Sequence, residues 1–331
     1  MQVSFAPNRL QKAPLRAGDN HVARPLLSLR GAHVVLGGEA LANGLAKSIV
    51  PGADTLFGPR GACLANEHGP LFVCDTGHHR LMIWRKPPSG DQAGADLVIG
   101  QPDFSREGRN AKGEVGAATL NMPTGVAARD GILAVADAWN HRVLIWHGYP
   151  ATSNQPADVV LGHADFSGHV ANRGAGVPTA ATLNWCYGVA IADGKLIVAD
   201  TGNRRVLVWN AIPSVNGAAA DLVLGQRDFI TRDDNAGEAG GALGMRWPHG
   251  IAVAGGMLFI SDAGNNRVMA WRHFPGANGS ACDFVIGQAD FMGLDHNRAF
   301  YHPNSSALNM PYGLTVHDGM LVVADTANSR L

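Results

Sequence analysis

Apolar residues in this chain come in short runs, each closed by glycine, asparagine or aspartate. The stretch GVAARDGILAVAD, residues 125–137, shows the unit of the pattern. Two apolar runs flank an Asp-Gly pair, the signature of a tight hairpin. RVLIWH (142–147) is a third β-rich run, and ADVVLGHADF (157–166) carries a fourth. Runs such as LIVAD (196–200) are apolar on both faces, as strands are when they lie between stacked sheets. No segment keeps a helical period. The pattern predicts four consecutive strands per unit.

The unit recurs. Its aspartate returns as Asp75, Asp137, Asp200, Asp262 and Asp325, at spacings of 62, 63, 62 and 63. A second phrase, LVIGQPDF in its first full copy, sets Gly100, Gly162, Gly225 and Gly287 on the same step, with a weaker copy at Gly37. A third, LNMPTGVA, opens each unit, with FGPRGAC as its first form. Three phrases in register over almost the whole chain define a repeat protein. Four-stranded units repeated in this way make a β-propeller blade. Each unit exceeds the roughly 40–45 residues of a WD-type blade. The excess lies between the fourth strand and the next first strand, where Asn110, Asn172, Asn235 and Asn297 also repeat, so these are read as ordered crossovers on one face.

NHRVL at Asn140–Leu144, together with GQPDF and LNMPTGVA, resembles the NHL repeat, specifically a bacterial group of long-repeat NHL propellers. The resemblance spans roughly residues 33–331 and implies an all-β fold, an NHL-type β-propeller. It implies little about activity, because that family includes lyases, RNA-binding modules and protein-binding scaffolds. Five first strands give five blades, or six if the sequence is a piece of a longer chain. The last unit supplies two strands, around 313–315 and 321–324. RPLLSL at 24–29 and HVVLGGEAL at 33–41 are expected to complete it as N-terminal closing strands, although Pro25 removes one ladder donor. The expected organisation is an N-terminal arm over residues 1–21 and one propeller domain over 22–331.

Composition narrows the function classes. Of 331 residues, 46 % are hydrophobic and 16 % charged, which suits a globular protein with a large core. The net charge of -1 and the absence of long like-charge runs argue against nucleic-acid binding. No membrane-length apolar segment or signal-peptide core is present, so no membrane partner and a cytoplasmic location are expected. A monomer is expected. Cys63, Cys74, Cys186 and Cys282 form no CxxC pair. Cys63 and Cys74 flank a hairpin turn and are expected to face each other as reduced thiols in a space that accepts only small side chains.

Residues that repeat read as scaffold: the DxxNxR aspartates and arginines, Asp103 and its equivalents, and Trp84, Trp146, Trp209 and Trp271. Chemistry is sought where equivalent positions differ. The residue before each first-strand glycine is expected to face the channel mouth: Arg60, Thr124, Tyr187, His249 and Tyr312. Three positions earlier stand Phe57, Asn121, Asn184, Arg246 and Asn309. Cations, phenols and amides on an apolar wall suit a ligand pocket, and the arginines suit a carboxylate or phosphate. A channel filled only with water is the competing reading. Trp139, where other units have glycine or alanine, is a candidate contact surface. No converging set of histidines and carboxylates suggests a metal, and no cofactor is expected; this departs from NHL-type amidating lyases, which the resemblance associates with axial histidines around a metal. Two functions remain open. One is a binding or scaffold module for a protein, peptide or small anionic ligand on the crossover face. The other is a lactonase- or lyase-like enzyme with His249 as general base, Tyr187 or Tyr312 as general acid and Arg60 holding an anion.

Overall fold

The computed structural model describes residues 32–37 and 50–331. Four antiparallel sheets of four strands each follow one another along the chain, every strand paired with the next. The first comprises β1 (Ala62–Leu64), β2 (Leu71–Asp75), β3 (Arg80–Trp84) and β4 (Leu97–Ile99). The second comprises β5 (Pro123–Arg129), β6 (Ile132–Asp137), β7 (Arg142–His147) and β8 (Val159–Leu161). The third comprises β9 (Val189–Ala192), β10 (Lys195–Asp200), β11 (Arg205–Trp209) and β12 (Leu222–Leu224). The fourth comprises β13 (Pro248–Ala254), β14 (Met257–Asp262), β15 (Arg267–Trp271) and β16 (Phe284–Ile286). A two-stranded sheet, β17 (Pro311–His317) and β18 (Met320–Asp325), follows. The helical elements among the described residues are single 3-10 turns.

The core lies between sheets. On β6, Leu133 and Val135 pack with Phe72, Leu81 and Ile83 of the preceding sheet. Ala134 and Ala136, pointing the other way, pack with Val189, Leu196 and Val198 of the following one. This two-sided burial is why the runs show no polar alternation. Each fully buried aliphatic side chain contributes about 1.5–3 kcal/mol. The same sandwich recurs between the third and fourth sheets, and the β17–β18 hairpin closes over Phe259, Val268 and Ala270 of the fourth. The repeated tryptophans are buried, each Nε1–H donating to a carbonyl nine residues on, as Trp146 does to Gln155 at 3.1 Å.

The first strands approach one another through glycine. A Cβ on Gly61, Gly125, Gly188 or Gly250 would meet a carbonyl oxygen of the next first-strand segment at 2.0–2.6 Å. A Cβ on Gly313 would meet only the Ala324 side chain, at 3.4 Å. Gly37 pairs with Thr55 as Gly100 pairs with Thr119, so residues 32–37 hold the place of a preceding fourth strand. Residues 24–29 and 38–41, expected to help close the ring, lie outside the described residues, as does the arm 1–21.

The DxxNxR turns are buried networks. Arg142 Nε donates to Asp137 Oδ2 at 2.8 Å, and both side chains are sealed from solvent. Its Nη1 reaches the Phe166 carbonyl, and its Nη2 reaches those of Gly116 and Thr119. The same set surrounds Arg80 and Arg205. The repeated crossover asparagine exchanges amide hydrogen bonds with the turn asparagine of the next unit: Asn110 with Asn140 and Asn172 with Asn203. In the first unit His78 replaces that asparagine and contacts Asp75 at 2.8 Å.

One detail differs from expectation. Cys63 pairs with Phe72, not with Cys74. The two thiols lie on a diagonal because the hairpin turn is offset by one pair from the symmetric position. All four cysteines are free, with Cys74, Cys186 and Cys282 buried.

Two expectations for stability follow. Gly188→Ala places a methyl group 2.0 Å from the His249 carbonyl and should lower the unfolding free energy by about 2 kcal/mol or more, whereas Gly313→Ala should change it by less than about 0.5 kcal/mol, as read by urea unfolding. Arg142→Leu strands a dry carboxylate and should cost about 3–5 kcal/mol in the same measurement. Arg330→Leu, whose guanidinium is 32 % exposed, should cost clearly less.

Candidate functional site

The register that buries the strands also points one variable position per unit at the axis. Each first strand starts at the end where the second strand stops, so the residue preceding its glycine stands at the mouth of the channel. Arg60, Thr124, Tyr187, His249 and Tyr312 line one cavity of about 390 Å³. Its volume falls within the range of small-molecule sites, roughly 300–1,000 Å³.

Contacts inside the cavity cross the axis. Arg60 Nη1, from the first unit, donates to the Tyr187 hydroxyl of the third. Its guanidinium carbon sits 5.8 Å from the centre of the same ring. His249 meets both phenols, its ring centre 4.2 Å from that of Tyr187 at a 52° tilt and 4.4 Å from that of Tyr312, on which it stacks at 10°. Tyr187 and Tyr312 meet edge-on at 6.1 Å. Thr124 is turned away, its hydroxyl donating to the Tyr187 carbonyl at 2.8 Å.

Electrostatics follow from burial. Desolvation pulls His249 down to about 4, with the Arg60 charge acting in the same direction, so the imidazole is neutral at pH 7. Its Nδ1 is 2.7 Å from the Trp247 carbonyl, which fixes the proton on that nitrogen. Desolvation raises the Tyr187 phenol, opposed by Arg60, so it stays protonated. Among the described residues, Arg60 is the one charged side chain that lines the cavity, and no carboxylate lines it. Among the described residues no three His, Cys, Asp or Glu groups converge as a metal site would need.

The outer set is not brought into the cavity. Asn121, Asn184, Arg246 and Asn309 are held by their backbones: each N–H donates to the conserved-position aspartate of its own unit, at 2.6–2.7 Å. Each carbonyl accepts from the following turn, as Asn121 does from Trp139 N–H at 3.1 Å. None of the four lines this cavity; Arg246 is exposed and the three asparagines are half-buried. Arg246 pairs with Asp234 at 3.4 Å and covers the Trp247 ring at 5.0 Å. Asn184 borders a separate shallow pocket with Arg204, Arg232 and Asp234. Trp139 is 56 % exposed at its turn.

Trp185 and Trp247 are two residues that the equivalence argument passes over. They stand where other units have Met122 and Met310, and both are partly exposed beside the mouth. Trp185 meets Tyr187 edge-on at 6.1 Å. The signal was the same as elsewhere, a large aromatic at a position that varies between units.

The NHL repeat profile matches residues 120–146, the segment that contains the opening phrase, the second-unit hairpin and NHRVLIW. NHL repeat-containing protein 2 from Homo sapiens is 22 % identical over 310 residues, covering 87 % of this chain, and that from Gallus gallus is 23 % identical over the same span. The chain spans about 40 % of the length of these relatives. Among solved structures, Myxococcus xanthus glutaminyl cyclase aligns with a TM-score of 0.41 at 13 % identity, covering 80 % of this chain and 84 % of that one. No helix among the described residues is long and apolar enough to cross a membrane.

Burial of two histidines makes stability pH-dependent. His163 and His249 are each pulled down to about 4 by desolvation. The unfolded chain takes up these protons near pH 6.5 and the native chain only near 4. Their contribution is therefore complete above about pH 6.5 and is lost as pH falls toward 4. His163→Gln installs the residue found at Gln101, Gln226 and Gln288. It should reduce the stability lost between pH 7 and pH 5 by about 1–2 kcal/mol, as read from urea midpoints at the two pH values.

Proposed function

We propose that this chain is an NHL-type propeller that acts as a binding module, taking a small anionic group at the channel mouth on its crossover face. The observation that carries this reading is the charge of the cavity: among the described residues its lining has one arginine, no carboxylate, a protonated Tyr187 phenol and a neutral imidazole. A guanidinium anchored by one hydrogen bond keeps further donors for an oxyanion. The exposed rings of Trp139, Trp185 and Trp247 suit an anion displayed by a protein or peptide as well as a free small molecule.

Ring closure belongs to the same reading. Beside β18 runs a groove of about 320 Å³, bordered by Leu321, Val322, Val323 and Leu308. In the other four units a third strand fills the corresponding place, and residues 24–29 are proposed to fill it here.

The enzymatic alternative gains less support. A general base works best with a pKa near the operating pH, and burial holds His249 well below neutrality. No carboxylate contacts its Nδ1, which donates to a backbone carbonyl instead. Binding to Arg60 is tested by titrating monocarboxylates and inorganic phosphate into the protein. Arg60→Ala should weaken binding of the preferred anion at least about tenfold, the loss expected for hydrogen bonds to a charged group. Equal affinity in the variant would remove Arg60 from the site.

A further inference from the structure

We infer that the mouth selects a carboxylate carrying a neutral hydrogen-bond donor, an O–H or amide N–H, on the adjacent carbon; the inference rests on the anion-binding reading above. The cavity presents a mixed set of donors and acceptors. Arg60 uses Nη1 on Tyr187, while its Nε and Nη2 have no partner among the described residues. The Tyr312 hydroxyl likewise has no protein partner there. These are donors, and they suit the two oxygens of a carboxylate.

His249 supplies the opposite function. A carbonyl cannot donate, so the 2.7 Å contact with Trp247 places the proton on Nδ1 and a lone pair on Nε2. Nε2 has no partner among the described residues, yet it is not sealed from the cavity. Tyr312 stacks on one face of the ring and Tyr187 packs against it at a 52° tilt, which together hold it in place. A fixed acceptor beside a cation asks for a ligand with both an anionic end and a donor. The donor must be neutral: an ammonium would meet Arg60 with no carboxylate in the cavity to balance it. A 2-keto group would set an oxygen lone pair against that of Nε2.

Four probes that share a small carboxylate scaffold separate these features. Propionate has no donor, lactate has a hydroxyl, alanine has an ammonium, and N-acetylglycine has an amide N–H. Dissociation constants from NMR titration of isotope-labelled protein should show lactate or N-acetylglycine about fivefold tighter than propionate, with alanine weaker than propionate. Whichever of the two leads tells a free hydroxy acid from a peptide-like end. In His249→Phe, which keeps the stacked ring, the advantage over propionate should vanish. In the unmodified protein the His249 Nε2 resonance should move with the donor-bearing ligand and not with propionate. Propionate and lactate binding equally, or an advantage that survives His249→Phe, would overturn the inference and leave anion binding intact. No binding by any of the four would overturn both.

Discussion

The buried Asp–Arg pair of the DxxNxR turn is the interaction on which the architecture rests. In four units both partners are sealed from water, with Nε–Oδ2 distances of 2.7–2.9 Å. Such a pair is costly to bury unless the remaining lone pairs and protons find partners. Around Arg142 all three guanidinium nitrogens donate. The second carboxylate oxygen accepts the backbone N–H that starts the unit, and the guanidinium reaches the crossover carbonyl and the unit's entry loop. One residue pair therefore ties the end of the second strand, the third strand, the crossover and the entry loop together. The asparagine exchange between a crossover and the next turn links neighbouring units in the same way.

This scaffold determines what kind of site is possible. Because the units share one register, their pre-glycine residues are delivered to one cavity. The network leaves five positions open to choice. Their choice here is one arginine, two phenols, an imidazole and a threonine that turns back to the backbone. His249 stacks on Tyr312, meets Tyr187 at a tilt and holds a backbone carbonyl through Nδ1, which fixes its orientation and lets a neutral histidine act as a rigid acceptor. Positional rigidity of this kind lowers the ordering cost of binding.

Much of this was legible in the linear pattern. The step of 62–63 residues, the hairpin at residues 125–137 and the runs apolar on both faces were enough to expect consecutive four-stranded sheets. The contrast between repeated and variable positions was enough to bring Arg60, Tyr187, His249 and Tyr312 forward together. The same contrast brought forward Asn121, Asn184, Arg246 and Asn309, which do not line that cavity; their backbone N–H groups carry a repeated structural role that side-chain variation conceals. The diagonal placement of Cys63 and Cys74 depended on a one-pair offset in the turn, which two symmetric-looking flanks conceal.

Sequence by itself determined the repeat, the strand class, the buried Asp–Arg sets and the candidate axial residues, because each is a matter of periodicity and of which groups tolerate burial. Only the tertiary structure decided which variable residues share a cavity. It alone gave Arg60 its partner Tyr187, set the histidine against two phenols and, through a local contact with the Trp247 carbonyl, assigned its proton to Nδ1. The first two outcomes depend on distances between residues more than 60 positions apart, and hydrophobic patterning records which face a residue takes but not what stands opposite it.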